Sequence, residues 1–183
     1  MKNTWVLLDR DGVINFDSED YIKSPEEWIP IPNSLEAIRL LNQKGYSVAI
    51  ATNQSGIQRG LYSEQILEQI HQKMTDSLSK LGGAIAAIHY CPHGPNDGCM
   101  CRKPKPGLLM QIAHKFSLDL TKTPYVGDSW RDCQAAISAG CKPVLVKTGN
   151  GLITIKKYPN EIEHIPVFSD LYNFAYSLPF VKE

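Results

Sequence analysis

Four pairs of residues, far apart in the chain, carry groups that hydrolysis of a phosphate ester requires. Carboxylates can attack phosphorus, bind a divalent cation and transfer protons, whereas hydroxyl, amide and cationic groups can hold phosphoryl oxygens. The pairs are Asp9 with Asp11, Thr52 with Asn53, Arg102 with Lys103, and Gly127 with Asp128. If folding brings them together, they predict a site for a phosphorylated substrate.

Three of these pairs follow short apolar runs that are typical of buried strands. The runs span residues 5–8, 47–51 and 124–126, and turn-forming residues bound each of them. In an open α/β sheet, ligands bind outside the carboxyl ends of parallel strands. We therefore expect the three strand ends to bring their polar residues to one place.

The remaining apolar patterns alternate between helix and strand spacing. Helices are predicted at 33–43, from an N-cap at Ser63 to about residue 82, and at 107–116, 130–139 and 169–177, with further strands at 85–90 and 143–146. This alternation predicts an α/β fold with a doubly wound parallel sheet. A chain of 183 residues suits one domain, residues 1–183.

The carboxylates predict covalent catalysis assisted by a metal. Unaided hydrolysis of phosphate monoesters is so slow that a route through an aspartyl-phosphate is favoured, with Asp9 as nucleophile. Asp11 would protonate the leaving alcohol and later activate water, which requires a raised pKa. Asp128 adds negative charge beside a dianionic substrate, so a cation is needed. Oxygen ligands favour Mg²⁺, held by Asp9, Asp128 and the backbone carbonyl of Asp11, with Asp132 supporting these ligands.

The other two pairs supply groups for the phosphate itself. Thr52 and Asn53 end the second strand with a hydroxyl and an amide, and the glycines that follow permit close approach of a phosphate. Lys103 places a positive charge where negative charge develops in the transition state. We expect these side chains to hold the phosphoryl oxygens.

A cysteine-rich loop, residues 91–101, predicts a second metal site. Cys91, His93, Cys99 and Cys101 offer three thiolates and one imidazole, the ligand set of a closed tetrahedral zinc site with a structural role. The alternative is a reduced cysteine-rich turn without metal. Because Arg102 directly follows the last ligand, a bound zinc would also position the cations after it.

Composition and charge exclude several other classes. The formal net charge is zero, so no broad positive field favours nucleic acid or an anionic membrane. No apolar run approaches the ~20 residues of a membrane span. Charged residues 9–11 occupy the stretch where a signal peptide would be apolar, and the five cysteines fit a reducing compartment. We expect a monomeric cytoplasmic protein that binds no nucleic acid and no membrane.

With these motifs, the chain resembles haloacid dehalogenase-type phosphatases between about residues 5 and 149. The matching motifs are Asp9 to Gly12, Thr52 to Ile57 with Arg59 and Gly60, the zinc loop leading into Arg102, Lys103 and Pro104, and Gly127 with Asp128. The resemblance implies the same roles for Asp9 and Asp11, phosphoryl binding by Thr52 and Lys103, and no large cap domain. The residues that it implies for substrate recognition are Asp17, Ser18, Glu19, Asp20, Asn53, Gln54, Ser55 and Arg102.

The resemblance also implies a small phosphorylated sugar as substrate. The implied reaction removes the 7-phosphate of D-glycero-D-manno-heptose 1,7-bisphosphate during synthesis of heptose for lipopolysaccharide or other surface polysaccharides. Ser55 to Ile57 and Arg59 favour this substrate, and Arg59 and Arg102 suit a second phosphate. The short zinc loop is also close to that of histidinol-phosphate phosphatases, and the acidic residues of loop 17–20 would attract an amine.

Two hypotheses of other classes are weaker. A nucleic-acid 3′-phosphatase predicts a basic groove with stacking aromatic residues, which the sequence does not display. A non-catalytic, zinc-stabilised binding module is disfavoured because a chemically competent residue fills every catalytic position.

Overall fold

A six-stranded parallel sheet forms the centre of the computed structural model, which describes residues 4–181. The strands lie in the order β3-β2-β1-β4-β5-β6. Their bounds are β1 Thr4–Leu8, β2 Tyr46–Asn53, β3 Ala87–Cys91, β4 Pro124–Gly127, β5 Lys142–Val146 and β6 Val167–Phe168. The predicted doubly wound parallel sheet is confirmed. Residues 1–3 and 182–183 of the predicted domain lie outside the described residues.

Helices cover both faces of the sheet. They are α1 Ser34–Gln43, α2 Glu64–Ser79, α3 Gly107–Phe116, α4 Trp130–Ala139, α5 Gly151–Lys157 and α6 Leu171–Ser177, with a 3₁₀ turn at Leu120–Lys122. Alternate residues of β1 enter different cores: Val6 packs with α1, α2 and α6, whereas Leu7 packs with α3 and α4. Because both faces of β1 are buried after its first residue, its sequence is apolar from Trp5 to Leu8.

The register aligns the carboxyl ends of the central strands. Leu8, the last residue of β1, pairs with Ile50 of β2 and Val126 of β4. The backbone N–H of Asp9 continues the ladder by donating to the carbonyl of Val126. The residues after β1, β2 and β4 therefore meet at one edge, as predicted.

Most predicted elements are confirmed, with shifts at their ends. The helices at 107–116 and 130–139 have the predicted bounds, whereas β2 runs two residues further because Asn53 still pairs with Cys91 of β3. Strand β3 starts at Ala87 instead of residue 85. Helix α6 starts at Leu171 because Asp170 caps it, accepting a hydrogen bond from the N–H of Asn173. The sequence did not predict α5 or β6.

Within residues 4–181, no helix has the length and apolar character needed to cross a membrane.

Candidate active site

A cavity of about 260 Å³ opens at the carboxyl edge of the central strands. Its walls include the residues predicted to bind phosphate and magnesium: Asp9, Asp11, Thr52, Asn53, Lys103 and Asp128. They also include most residues predicted to recognise substrate: Asp17, Ser18, Glu19, Gln54, Ser55 and Arg102. Asp20 is the exception, since it is exposed and does not line the cavity. The strand ends thus bring together side chains from the whole chain.

Lys103 is buried at the floor of this cavity, with only 3 % of its surface exposed. Its Nζ lies 2.8 Å from Oδ2 of Asp9 and 2.7 Å from Oδ1 of Asp132, and it donates a hydrogen bond to the hydroxyl of Tyr125. Burial lowers the pKa of Lys103, but the charges of Asp132 and Asp9 raise it above its ordinary value. The ammonium is therefore held in its charged form beside Asp9.

Asn53 positions Lys103 through the backbone. Its amide Nδ2 donates to the carbonyl of Lys103, and its Oδ1 accepts from the N–H of Lys103, both at 3.1 Å. This pair of hydrogen bonds connects the end of β2 to the segment after the zinc loop. The side-chain amide of Asn53 thus fixes the position of the Lys103 backbone and, with it, the position of the ammonium group.

The carboxylates of Asp9, Asp128 and Asp132 form a buried acidic cluster, with oxygens within 4.8 Å of one another. Burial raises the pKa of Asp9 to about 7 against the opposing effect of Lys103. Burial, with repulsion from Asp132 and Asp9, raises the pKa of Asp128 to about 8. One ammonium does not neutralise three carboxylates, so the cluster favours a further cation. Its all-oxygen donor set fits Mg²⁺.

Asp128 and Asp132 differ in how many of their oxygens are already engaged. Oδ1 of Asp132 pairs with Lys103, and its Oδ2 accepts from the N–H and hydroxyl of Ser129 to cap α4. Asp128 is oriented through Oδ2, which accepts from the N–H and side-chain amide of Asn150, at 2.7 and 3.2 Å. Both oxygens of Asp132 are therefore engaged by Lys103 and Ser129, so this residue holds Lys103 in place. Asp128 keeps Oδ1 available as a ligand atom for a metal ion.

Two glycines allow Asp128 to sit this close to the backbone. A Cβ at Gly12 or Gly149 would lie 2.1 or 2.2 Å from its Oδ2. Both glycines also have positive φ angles, of 79° and 55°, which L-residues with side chains rarely adopt.

The predicted pKa of Asp11 is wrong in direction. Its Oδ1 accepts from Nε and Nη2 of Arg10 and from Nδ2 of Asn15, and its Oδ2 accepts from Nε2 of Gln54. Burial raises the pKa of Asp11, but the charge of Arg10 and these hydrogen bonds together lower it below its ordinary value. Asp11 is therefore held as a carboxylate by the buried Arg10 beside it. The sequence-based prediction did not take the charge of Arg10 into account.

Sequence reasoning also missed three polar residues of the cavity wall, Tyr21, Arg131 and Asn150. Arg131 lies on the first turn of α4, and its Nε is 3.4 Å from the hydroxyl oxygen of Ser129. Asn150 follows β5, where its amide bridges Asp128 and Asp17. The strand-end rule applied to β5 as well would have found Asn150, whereas Arg131 carries no such signal.

The four predicted zinc ligands lie together at the end of β3. Sγ of Cys91 is 3.1 Å from Sγ of Cys101 and 3.6 Å from Sγ of Cys99, and Nδ1 of His93 is 3.3 Å from Sγ of Cys101. Ligand atoms about 2.3 Å from a tetrahedral zinc would be separated by roughly 3.8 Å, so a small outward movement of these side chains accommodates the ion. All four cysteine and histidine side chains can therefore hold one zinc.

The zinc loop contacts the rest of the site through its backbone. The carbonyls of Cys91 and Pro92 accept from the N–H groups of Gln54 and Gln58, at 2.7 and 3.3 Å. Nη1 of Arg102 donates to the carbonyl of His93 at 3.0 Å. The conformation of this loop therefore affects groups on the cavity wall.

Known proteins share both the sequence and the fold. A family model described as HAD-hydrolase-like matches residues 100–173. D-glycero-beta-D-manno-heptose-1,7-bisphosphate 7-phosphatase of Pseudomonas aeruginosa is 54% identical over 157 residues, covering 86% of this chain and 88% of the relative. The chain belongs to this phosphatase family within the HAD-like hydrolases. The enzyme of the same name from Bordetella bronchiseptica is 54% identical over 150 residues, covering 82% of this chain and 84% of the relative.

A solved structure of the family has the same fold. The D,D-heptose 1,7-bisphosphate phosphatase of B. bronchiseptica, crystallised with magnesium and phosphate, superposes with a TM-score of 0.92 at 50% identity. The alignment covers 94% of this chain and 96% of that structure. The family resemblance inferred from the motifs is thus confirmed.

Proposed function

We propose that this protein is a Mg²⁺-dependent phosphomonoesterase that removes the 7-phosphate of D-glycero-D-manno-heptose 1,7-bisphosphate. The observation that carries the proposal is the convergence of Asp9, Lys103 and Asp128 on one cavity in a chain that is 54% identical to enzymes of that name. The reaction would contribute heptose to lipopolysaccharide or other surface polysaccharides. We place it in the cytoplasm, as a monomer with one domain over residues 1–183.

Asp9 is the proposed nucleophile. One of its carboxylate oxygens forms a bond to phosphorus while the bond from phosphorus to the sugar oxygen breaks. Lys103, 2.8 Å from Asp9, stabilises the negative charge on the phosphoryl oxygens, and the hydroxyl of Thr52 donates to one of them. Water then attacks the aspartyl-phosphate and regenerates the Asp9 carboxylate.

Asp11 transfers the protons in both steps. It gives a proton to the departing sugar oxygen and later takes one from the attacking water. Because Asp11 is held as a carboxylate by Arg10, Asn15 and Gln54, it must gain its proton as the substrate binds. The negative charge of the arriving phosphate favours that protonation.

Asp9, Asp128 and the backbone carbonyl of Asp11 would hold Mg²⁺. The bound ion would offset charge on the phosphoryl group. Cys91, His93, Cys99 and Cys101 would hold a structural Zn²⁺, which keeps Arg102 and Lys103 at the cavity wall.

Substrate recognition is proposed for the outer part of the cavity. Asp17, Ser18 and Glu19, with Asn53, Gln54 and Ser55, would bind the sugar hydroxyls, and arginines would bind the second phosphate. Arg59, Arg102 and Arg131 line the cavity, and none of them takes part in an ion pair within residues 4–181. Three guanidinium groups whose charge is not paired with a carboxylate in this part of the chain suit a second phosphate better than the amine of histidinol phosphate.

A direct comparison of substrates tests this function. We would measure kcat/KM for heptose 1,7-bisphosphate, histidinol phosphate and an oligonucleotide 3′-phosphate at the same Mg²⁺ concentration. The heptose bisphosphate should be the best substrate by a wide margin. A preference for histidinol phosphate would overturn the proposed substrate while leaving the phosphatase chemistry in place, and full activity of Asp9→Asn would overturn that chemistry.

A further inference from the structure

Two largely buried side chains outside the cavity wall are connected to Asp11 by hydrogen bonds. Tyr62 lies just before α2, with 7 % of its surface exposed, and His71 lies within α2. Neither residue lines the cavity that contains Asp9. Each of them instead bonds to a residue that holds Asp11.

The first connection passes from Tyr62 through Gln54. The hydroxyl of Tyr62 donates to Oε1 of Gln54 at 2.7 Å, and Nη2 of Arg10 donates to the same oxygen at 3.2 Å. The amide nitrogen of Gln54 must then face the other way, where it donates to Oδ2 of Asp11 at 2.9 Å. A flipped amide would place its N–H₂ group against the guanidinium donors of Arg10. Tyr62 and Arg10 therefore determine the orientation of Gln54.

The same orientation affects Thr52. The amide nitrogen of Gln54 also donates to Oγ1 of Thr52 at 3.0 Å. Because this bond uses the hydroxyl oxygen of Thr52 as an acceptor, its hydrogen remains available to point at a phosphoryl oxygen in the cavity. Gln54 thus orients both the acid/base group and a phosphate donor.

The second connection passes from His71 through Arg10, which is fully buried. Nη1 of Arg10 lies 3.2 Å from Nε2 of His71. A guanidinium has only donors, so Nε2 must accept, and the neutral ring carries its hydrogen on Nδ1. Burial and the charge of Arg10 lower the pKa of His71 to about 3, in agreement with a neutral ring. His71 therefore fixes the rotation of the guanidinium whose other nitrogens bind Asp11.

We propose that Tyr62 and His71 are positioning residues for catalysis, which orient Asp11 through Gln54 and Arg10. The proposal rests on the acid/base role given to Asp11 above. It predicts that loss of either residue mainly impairs proton donation to a poor leaving group.

The test compares Tyr62→Phe and His71→Leu on two substrates. A sugar alkoxide needs a proton from Asp11 to depart, whereas p-nitrophenolate does not, and kcat/KM reports the steps through phosphoryl transfer to Asp9. We expect kcat/KM for the sugar phosphate to fall about tenfold, with a loss at least about five times smaller for p-nitrophenyl phosphate. His71→Gln, which can present an amide oxygen to Arg10, should restore part of the activity.

Tyr46→Phe is the matched control. Tyr46 is also buried and also donates one hydrogen bond, to the carbonyl of Pro179, away from the cavity. This variant should alter thermal stability as much as Tyr62→Phe does and leave the ratio of the two substrates unchanged.

Equal losses with both substrates would overturn the proposal, because they would show a purely structural role. Unchanged activity in both variants would overturn it as well. If His71→Leu does not fold, Tyr62→Phe still decides, since it removes a single oxygen. Should the wild-type protein prefer another alkyl phosphate, the proposed substrate fails, and the same comparison with that ester still tests the positioning role.

Discussion

Replacement of Lys103 should lower both the stability of the protein and its catalytic activity. The ammonium of Lys103 is the buried partner of two carboxylates, Asp9 at 2.8 Å and Asp132 at 2.7 Å. Lys103→Met keeps most of the side-chain volume and removes the charge. Two buried carboxylates, with Asp128 nearby, would then lack their cation.

The expected size of the effect follows from that geometry. Breaking a buried ion pair by removing one partner costs about 3–5 kcal/mol of unfolding free energy. For a domain of this size, 1 kcal/mol corresponds to about 2–4 °C, so the melting temperature should fall by roughly 6–20 °C. Loss of transition-state stabilisation should lower kcat by about 10²–10³-fold.

Magnesium should compensate for part of the lost stability, because it supplies positive charge to the same carboxylates. An ion present at about 100 times its Kd adds about 2.7 kcal/mol to the folded state. Lys103→Met should therefore gain more thermal stability from Mg²⁺ than the wild-type protein does.

The assay is thermal unfolding of Lys103→Met and wild type, each with Mg²⁺ and with the ion removed. Lys122→Met is the control, since Lys122 forms an exposed ion pair with Asp119 and its loss should leave the melting temperature unchanged. If Lys103→Met melts with the wild-type protein and keeps its kcat, the reasoning about the buried ammonium is refuted.

Three further predictions concern the surroundings of the cavity. The pKa of His71 is about 3 in the folded protein against an ordinary 6.5, so the unfolded chain alone takes up a proton as the pH falls below 6.5. The free energy of unfolding should therefore fall as the pH is lowered. In urea titrations, His71→Leu should lose about 2 kcal/mol less of this free energy than the wild-type protein between pH 7 and pH 5. An equal pH dependence in the two proteins would contradict this prediction. Stripping zinc with a chelator should lower the melting temperature and kcat/KM without changing the Mg²⁺ requirement, and an unchanged melting temperature would exclude a structural zinc. Asn150→Ala keeps the backbone N–H bond to Oδ2 of Asp128 but removes the side-chain amide that bridges this oxygen and Asp17. The Mg²⁺ concentration for half-maximal activity should therefore rise by up to about tenfold, while an unchanged value would show that the side chain of Asn150 does not orient Asp128.

The main features of the fold were predictable because they depend on local patterns. Strand β1 is apolar from Trp5 to Leu8, and the turn residues after it mark its end next to Asp9. The helices α3 and α4 have regular apolar spacing and clear ends, so their bounds were predicted correctly. Helix α5 and strand β6 have only seven and two residues, too few for a periodic pattern to emerge.

The candidate site was predictable in its residue types but not in its hydrogen bonds. The strand-end rule places Asp9, Thr52 and Asp128 together. The zinc site was predictable because its three cysteines and one histidine lie close together in the sequence. The environment of Asp11 depends on Arg10 next to it and on Gln54 from another strand end. One sequence carries no signature of the contact with Gln54 and does not show that the neighbouring Arg10 is buried against Asp11, which is why the pKa of Asp11 was predicted in the wrong direction.

The central claim is that the carboxylate of Asp9 attacks phosphorus. The most direct measurement is mass spectrometry of peptides after the reaction with p-nitrophenyl phosphate has been stopped rapidly with acid. We expect a phosphoryl group on the peptide that contains Asp9, in larger amount in Asp11→Asn, which lacks the base for the second step, and none in Asp9→Asn. A phosphoryl group on another residue, or wild-type turnover by Asp9→Asn, would contradict the claim.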